Sequence, residues 1–255
     1  MKHKKLVIAA TCLVFVMICV LCLKELFSVK DISVVYTVTS QDGAEEVLSL
    51  LEKYKGESIF LIDSNEIREE ITSNRYLKVI SVERKYPNEL VINLEERAEK
   101  YYYQAEDGVY YFDEEYFVVR KSAVPENCEL LTQFVFTDLN GNNVYADCQL
   151  KSVFTFPNEL NDDVNDCIAE FGDSGDNIQQ IGIVFTAEEG NYRVRFNMTE
   201  GVIIEIRNAN TNLTAKVEEG VKCYLSLEEA RKIDGVVVVD SLADGRVNAT
   251  HTFNG

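Results

Sequence analysis

The sequence contains no tryptophan, two histidines and three prolines among its 255 residues. The two histidines, His3 and His251, stand at opposite ends of the chain. This scarcity argues against most zinc sites and most catalytic triads, because both depend on imidazole groups inside the fold. The GxSxG, GxGxxG, HExxH and P-loop motifs are also absent. We therefore predict no enzyme activity, no cofactor and no metal site.

Basic residues are scarce as well, with 25 Lys and Arg against 43 Asp and Glu and a formal net charge of −18. Such a chain would be repelled by nucleic-acid phosphates, so we predict no nucleic-acid partner. We also predict no small-molecule substrate. Hydrophobic residues make up 46% of the chain, which is typical of a folded protein. The length suits one large domain or two small ones.

The apolar residues include one long uninterrupted run, residues 6–23, which contains no charge. Lys2, Lys4 and Lys5 precede it, and all 43 acidic residues follow it. As a helix, a run of this length spans roughly 27 Å, close to the hydrocarbon thickness of a bilayer. The pattern predicts a short cytoplasmic tail at 1–5, a transmembrane anchor at 6–27 and an extracytoplasmic remainder.

A cleaved signal peptide is the alternative interpretation of this run. Its apolar core would be about 7–15 residues long and would end in a small-x-small cleavage site. The segment from Cys22 to Leu26 offers no such site. We therefore favour an uncleaved anchor.

Four of the seven cysteines, Cys128, Cys148, Cys167 and Cys223, lie in the predicted extracytoplasmic part. Their even number allows two disulfides in any of three pairings. Small buried thiols are an equally good interpretation. The sequence leaves both open.

Residues 28–97 carry the pattern of a small α+β domain. The stretch 32–38 is rich in strand-forming residues, and Val47, Leu50, Leu51 and Tyr54 follow the spacing of an amphipathic helix. Asp63 or Ser64 can cap a second helix, and two alternating runs then flank a turn at 86–89. The predicted order is strand, helix, helix, strand, strand.

The same region resembles the POTRA domain of the FtsQ/DivIB cell-division family. Residues 82–92, VERKYPNELVI, are similar to the V-x-R-x-aromatic-P-x-x-L-x-I stretch of that family. Residues 56–63 and 107–113 resemble its connector and the start of its β domain. The residues that carry the POTRA signature are Arg84, Tyr86, Pro87, Glu96 and Arg97. Ser58 departs from the usual asparagine, and the five-residue tail is shorter than in many relatives.

The remainder, residues 98–241, is predicted to be an antiparallel β-rich domain, followed by a polar C-terminal tail at 242–255. We predict a short strand at 213–217, a helix from Ser226 to Lys232 and a last strand at 236–240. A tyrosine-rich cluster at 101–103 suits a sheet core better than a platform for sugars. The oxygens of 138–143 partly match a calcium loop, but Gln149 replaces the bidentate glutamate, so a turn is favoured.

The resemblance implies a non-enzymatic, single-pass scaffold of the cell membrane at the division septum. Its partners would be bitopic proteins of the FtsL and DivIC/FtsB type, and it would support septal peptidoglycan synthesis. An exposed sheet edge accepts a partner strand through backbone hydrogen bonds. The predicted partner-binding residues are Ser226, Glu229, Lys232, Val236, Val238 and Asp240.

Three alternatives stay open at this point. The valine-rich strand at 236–240 suits a central, buried strand as well as an edge. A face around Arg84, Tyr86 and Arg97 is a second candidate surface. The chain could also be a membrane-anchored extracellular enzyme, a carbohydrate binder or a sensor, since its carboxylates are abundant.

Overall fold

The structure is a computed structural model, and it describes residues 2–36, 42–188, 190–228, 231–242 and 244–253. The chain divides into two compact units, Met1–Arg97 and Ala98–Gly255. The described elements include five α-helices and twelve β-strands. Each unit has its own hydrophobic core.

The first unit begins with a long helix, α1, which spans Lys2–Leu26. Its side chains are described from Thr11 onwards, and the large apolar ones between Leu13 and Leu26 are mostly exposed. Within the described part of the chain, no helix meets the length and hydropathy required to cross a membrane.

The rest of the first unit is a three-stranded sheet covered by two helices. Its elements are β1 (Asp31–Tyr36), α2 (Asp42–Leu51), α3 (Ser64–Ile71), β2 (Leu77–Lys85) and β3 (Glu89–Glu96). The sheet order is β1-β3-β2, with β1 parallel to β3 and β2 antiparallel to it. Residues 37 and 38 of the predicted first strand lie outside the described residues. The predicted α+β order of this region is confirmed.

Local chemistry explains these elements. Val47, Leu51 and Tyr54 repeat at helical spacing, and all three side chains are buried against the sheet. Asp63 caps α3, because its carboxylate accepts a hydrogen bond from the Asn65 N–H at 2.8 Å. The buried Ile67 then holds α3 on the sheet.

The second unit is built on a nine-stranded sheet. Its strands are β4 (Tyr101–Ala105), β5 (Gly108–Phe112), β6 (Val118–Ser122), β7 (Thr132–Asp138), β8 (Ile178–Phe185), β9 (Tyr192–Met198), β10 (Ile203–Ile206), β11 (Val236–Ser241) and β12 (Val247–Thr252). Two helices, α4 (Asn161–Ala169) and α5 (Leu213–Ser226), accompany them. The strand order is β12-β11-β10-β9-β8-β7-β4-β5-β6.

This sheet is mixed, so the expectation of an antiparallel domain was wrong in part. The pairs β4/β7, β7/β8 and β10/β11 are parallel. Parallel neighbours need a crossover connection, which is usually a helix. Here α4 lies in the connection from β7 to β8, and α5 connects β10 to β11.

The predicted strand at 213–217 is also wrong, because these residues form the first turns of α5. Leu213, Val217, Val221 and Tyr224 recur every three or four residues, which is the period of a helix. Val217, Val221 and Tyr224 are buried against the sheet. The helical period becomes apparent only when the whole stretch to Tyr224 is considered.

The core of the second unit is aromatic at the β4–β7 end of its sheet. Phe112 stacks on Phe154 with ring centroids 4.7 Å apart, and Phe134 meets Phe156 edge-on at 4.8 Å. Tyr101 also lies in this cluster, and burial raises its pKa to about 12. These rings therefore fill a sheet core, as the strand composition predicted.

Three smaller features complete the comparison with the sequence. Residues 247–252 form β12, so the expected polar tail 242–255 contains a strand, in which Val247 and Ala249 pack against the core. Asp138 closes its own turn, because its Oδ1 accepts from the N–H groups of Asn140 and Asn142, each at 2.8 Å. All seven cysteines are free thiols in the structure.

Candidate functional site

The edge of the large sheet at β12 presents backbone groups that the sheet does not use. β12 pairs with β11 on one side and is the last strand in the order. Just beyond the two strands, the Leu242 N–H donates to the Arg246 carbonyl at 2.7 Å. This bond determines which residues of β12 have their backbone groups directed towards β11. In an antiparallel ladder, opposite residues that share hydrogen bonds alternate with opposite residues that do not. Counting from the Leu242–Arg246 pair, the backbone groups of Asn248, Thr250 and Thr252 therefore form hydrogen bonds with β11. Val247, Ala249 and His251 therefore direct their N–H and C=O groups away from the sheet.

The hydrogen bonds between β11 and β10 lead to the same assignment of the outward-facing residues. The Arg207 N–H donates to the Val239 carbonyl at 2.9 Å, and the Ile203 N–H donates to the Gly235 carbonyl at 3.0 Å. The odd-numbered residues of β11 thus bond β10, which leaves its even-numbered residues to bond β12. Among the described residues, no strand pairs with the outward side of β12, and such a row of backbone donors and acceptors can accept an added strand.

On β10, two strands in from this edge, the sheet face carries a buried carboxylate between two arginines. The Glu205 side chain is only 8% exposed, and it accepts hydrogen bonds from Arg195 Nε at 2.8 Å and from Arg207 Nε at 2.9 Å. Burial acts to raise the pKa of Glu205, but the two arginine hydrogen bonds outweigh it and hold the pKa below the ordinary 4.5. The cluster carries one net positive charge on a strongly acidic chain.

The predicted partner-binding residues are divided between two places. Val236, Val238 and Asp240 are half-buried on one face of β11, opposite the buried Val237 and Val239. α5 covers that opposite face, so Val236, Val238 and Asp240 lie on the side of the sheet away from this helix. The sequence left 236–240 open as an edge or a central strand, and the structure shows the central alternative, because β12 pairs with β11 and takes the edge position.

The other predicted partner residues do not join that face. Ser226 is the last residue of α5, and its Oγ donates to the Cys223 carbonyl at 2.7 Å. It therefore ends a helix, whereas we expected it to begin one. Lys232 places its Nζ 5.4 Å from the centroid of the Tyr224 ring. Glu229 lies outside the described residues.

The POTRA signature residues are arranged around the β2–β3 hairpin. Arg84 donates from Nη2 to the Ile62 carbonyl at 2.6 Å, which ties the hairpin to the start of α3. Tyr86 and Pro87 lie in the turn, where Tyr86 is 60% exposed. Glu96 ends β3, and the Arg97 N–H donates to the Tyr76 carbonyl at 2.7 Å. The Arg84 side chain thus stabilises the turn end of the hairpin, and the backbone of Arg97 closes its other end.

A cavity of about 880 Å³ lies elsewhere in the second unit. It is bordered by α4, the β8–β9 hairpin and the start of α5, and its lining includes Asp163, Glu188, Tyr192 and Leu213. The Tyr192 hydroxyl donates to Asp163 at 2.8 Å, and burial raises the pKa of this tyrosine above its ordinary value. The lining offers oxygen acceptors beside apolar side chains.

Comparison with known proteins identifies the first unit. Residues 27–97 match the family described as "POTRA domain, FtsQ-type". The chain is also 28% identical over 126 residues to the cell division protein FtsQ of Rickettsia bellii. The aligned region covers 49% of this chain and 45% of the relative. The chain is 24% identical over 177 residues to the cell division protein DivIB of Clostridium tetani, which covers 68% of this chain and 62% of the relative.

The predicted resemblance to the FtsQ/DivIB family is confirmed. The matched part of the chain spans slightly less than half the length of its Rickettsia relative. The chain thus combines the expected POTRA domain with a large sheet domain.

Sequence reasoning missed two features of this chain. One is β12, whose Val247 and Ala249 are the only apolar residues in 247–252 and gave a weak alternating signal. The other is Glu205, which lies between Arg195 and Arg207 only once β9 and β10 pair in register. The alternation of Arg193 and Arg195 was visible in the sequence, but their carboxylate partner was not.

We expect Glu205→Gln to lower the free energy of unfolding by about 1–3 kcal/mol at neutral pH, because it weakens two charge-assisted hydrogen bonds at a buried site. Since the folded-state pKa of Glu205 is depressed, the stabilisation is present above pH 4.5 and is lost as the pH falls through the folded-state value. Urea unfolding of both proteins across this range measures the difference.

A matched control is Glu218→Gln, which removes an exposed ion pair with Lys222 on α5. Exposed pairs contribute about 0–1 kcal/mol, so this change should have little effect. Equal losses for the two variants would contradict the assigned role of Glu205.

Proposed function

We propose that this protein is a non-enzymatic, bitopic cell-division scaffold that acts at the septum. Its first unit holds it at the membrane, and its large sheet binds other division proteins of the FtsL and DivIC/FtsB type. In this role it supports septal peptidoglycan synthesis without catalysing it. The relatives are named as cell division proteins, which supports the general assignment.

The anchor in this proposal is α1, with the tail 1–5 in the cytoplasm and the large units outside. The apolar run 6–23 and the lysines before it support this topology. The side chains of residues 6–10 lie outside the described ones. From Leu13 to Leu26 the large apolar side chains are mostly exposed around the helix, and lipid is the environment in which such exposure is stable.

The single observation that carries the scaffold proposal is the edge of β12. The outward groups of Val247, Ala249 and His251 supply hydrogen bonds for an added strand, and the exposed side chains of Asn248, Thr250 and Thr252 line one face of it. Val236, Val238 and Asp240 lie close by on the neighbouring strand and remain the proposed contacts for partner side chains. The net positive cluster around Glu205 favours an acidic segment on the partner.

The test is the location of the full-length protein. A fluorescent fusion should concentrate at the division site, and capture of the full chain should co-purify bitopic coiled-coil division proteins. Even distribution around the membrane in dividing cells would contradict the proposal.

A second candidate function is favoured by the 880 Å³ cavity beside Tyr192. Its acceptors and apolar walls suit a polar ligand such as a sugar, which would make the chain a binding or sensor ectodomain. Binding of a glycan fragment that is lost in Tyr192→Phe, together with an even membrane distribution, would support this candidate over the scaffold.

A further inference from the structure

The first unit presents an exposed apolar patch next to the end of α1. The aromatic patch, as we call it, consists of Phe27, Phe60, Leu61 and Tyr86. Phe60 is 57% exposed and Leu61 is 83% exposed, although both are large apolar residues. They lie at the tip of a turn in which the Leu61 N–H donates to the Ser58 carbonyl at 2.9 Å.

The patch is held together by ring contacts between three separate segments. The Phe27 and Phe60 rings have centroids 4.9 Å apart, and the Phe60 and Tyr86 rings are stacked at 5.4 Å. The neighbouring Ile59 and Ile62 are buried in the core, which fixes the turn from below. The exposure of Phe60 and Leu61 is therefore set by the fold.

The patch is also fixed relative to α1. Phe27 follows Leu26 directly, and its N–H still donates to the Leu23 carbonyl at 3.0 Å, as in a helix. Its carbonyl accepts from the Ile59 N–H at 2.9 Å, and the next residue forms a bridge with Ser58. The last turn of α1 thus passes directly into the segment that carries Phe60.

We propose that the aromatic patch inserts into the headgroup region of the bilayer that α1 crosses, and so holds the POTRA domain against the membrane surface. This inference rests on the proposed role of α1 as an anchor. Phe27 would then lie at the interface, and the ring contacts bring Phe60 and Tyr86 to the same level. Tyrosine suits this depth because it has an apolar body and a polar tip, and Phe and Leu are residues that membrane-surface helices bury at the headgroup boundary.

The experiment uses the absence of tryptophan in the natural chain, which makes any introduced tryptophan the single reporter. Full-length Phe60→Trp is reconstituted into bilayers with and without lipids brominated near the headgroup end of the acyl chains. Bromine quenches tryptophan on contact. We expect brominated lipid to remove about half of the Phe60→Trp emission seen in unbrominated bilayers, because the indole ring lies at the interface. The emission should also be shifted to shorter wavelength than that of tryptophan in water.

Two further single-tryptophan proteins separate the possible results. Val35→Trp is the matched control, since Val35 is apolar, 47% exposed and in the same unit, but lies at the far end of β1. Val35 lies four residues, or roughly 13 Å, beyond the first residue of β1. Brominated lipids should therefore quench Val35→Trp little. Phe15→Trp reports the anchor, and deep-brominated lipids should quench it strongly.

The outcomes distinguish this inference from the proposal on which it rests. If Phe15→Trp is quenched and Phe60→Trp behaves like Val35→Trp, the aromatic patch is not in the membrane, although α1 is. If Phe15→Trp is not quenched, the anchor itself is wrong, and the inference falls with it. Quenching of Phe60→Trp well above that of Val35→Trp supports the insertion of the patch.

Discussion

Ala249→Pro is expected to weaken strand pairing between the β12 edge and a partner strongly while leaving the protein folded. The Ala249 N–H points away from β11, so proline removes a donor that the sheet does not use. The ring also obstructs the approach of a partner backbone. Loss of one hydrogen bond with this steric clash should weaken binding by at least about 2 kcal/mol, or more than tenfold in Kd.

The neighbouring residue supplies the matched control. Thr250 bonds β11, so Thr250→Pro should destabilise the fold and separate β12 from the sheet. Ala249→Ser keeps the outward N–H and should bind like the natural protein. Val247→Pro removes another outward donor at the first residue of the strand and tests the same idea independently.

The measurement is co-purification of the bitopic partner with each full-length variant, after circular dichroism has confirmed folding. Undiminished capture by folded Ala249→Pro and Val247→Pro would show that partners bind elsewhere. In that case the face formed by Val236, Val238 and Asp240 becomes the leading candidate. Charge-reversing substitution of Asp240 would then test it.

The POTRA domain was predictable because its signals are local. Val47, Leu51 and Tyr54 reveal one helix by their spacing alone, and Asp63 marks the start of the next helix through its own side chain. The hairpin turn contains Pro87, which restricts the backbone whatever surrounds it. Each of these features depends on residues within one element.

The sheet edge and the aromatic patch were not predictable in the same way. Whether 236–240 is an edge depends on β12, in which only Val247 and Ala249 are apolar. Phe60 and Tyr86 are 26 residues apart in the sequence, so their contact exists only in the folded unit. Periodicity reports burial within one element and carries no information about which elements become neighbours.

Gly220→Val is expected to lower the free energy of unfolding by about 2–3 kcal/mol or more. Gly220 lies on the face of α5 that packs against β10 and β11. A Cβ atom there would approach Ile204 Cγ2 to 2.9 Å and Val239 Cγ2 to 3.0 Å. Valine adds two more methyl groups at this point, so α5 must move away from the sheet.

The consequence reaches the partner edge, because α5 also packs against β12. We therefore expect Gly220→Val to reduce both the urea midpoint of the second unit and partner capture, with Gly220→Ala intermediate in both. The matched control is Gly175→Ala, whose added Cβ would meet its nearest neighbour, Phe171 Cβ, at an ordinary 3.8 Å. If Gly220→Val unfolds at the same urea concentration as that control, α5 does not pack this closely on the sheet. If it unfolds earlier yet still captures partner fully, the edge at β12 does not depend on α5.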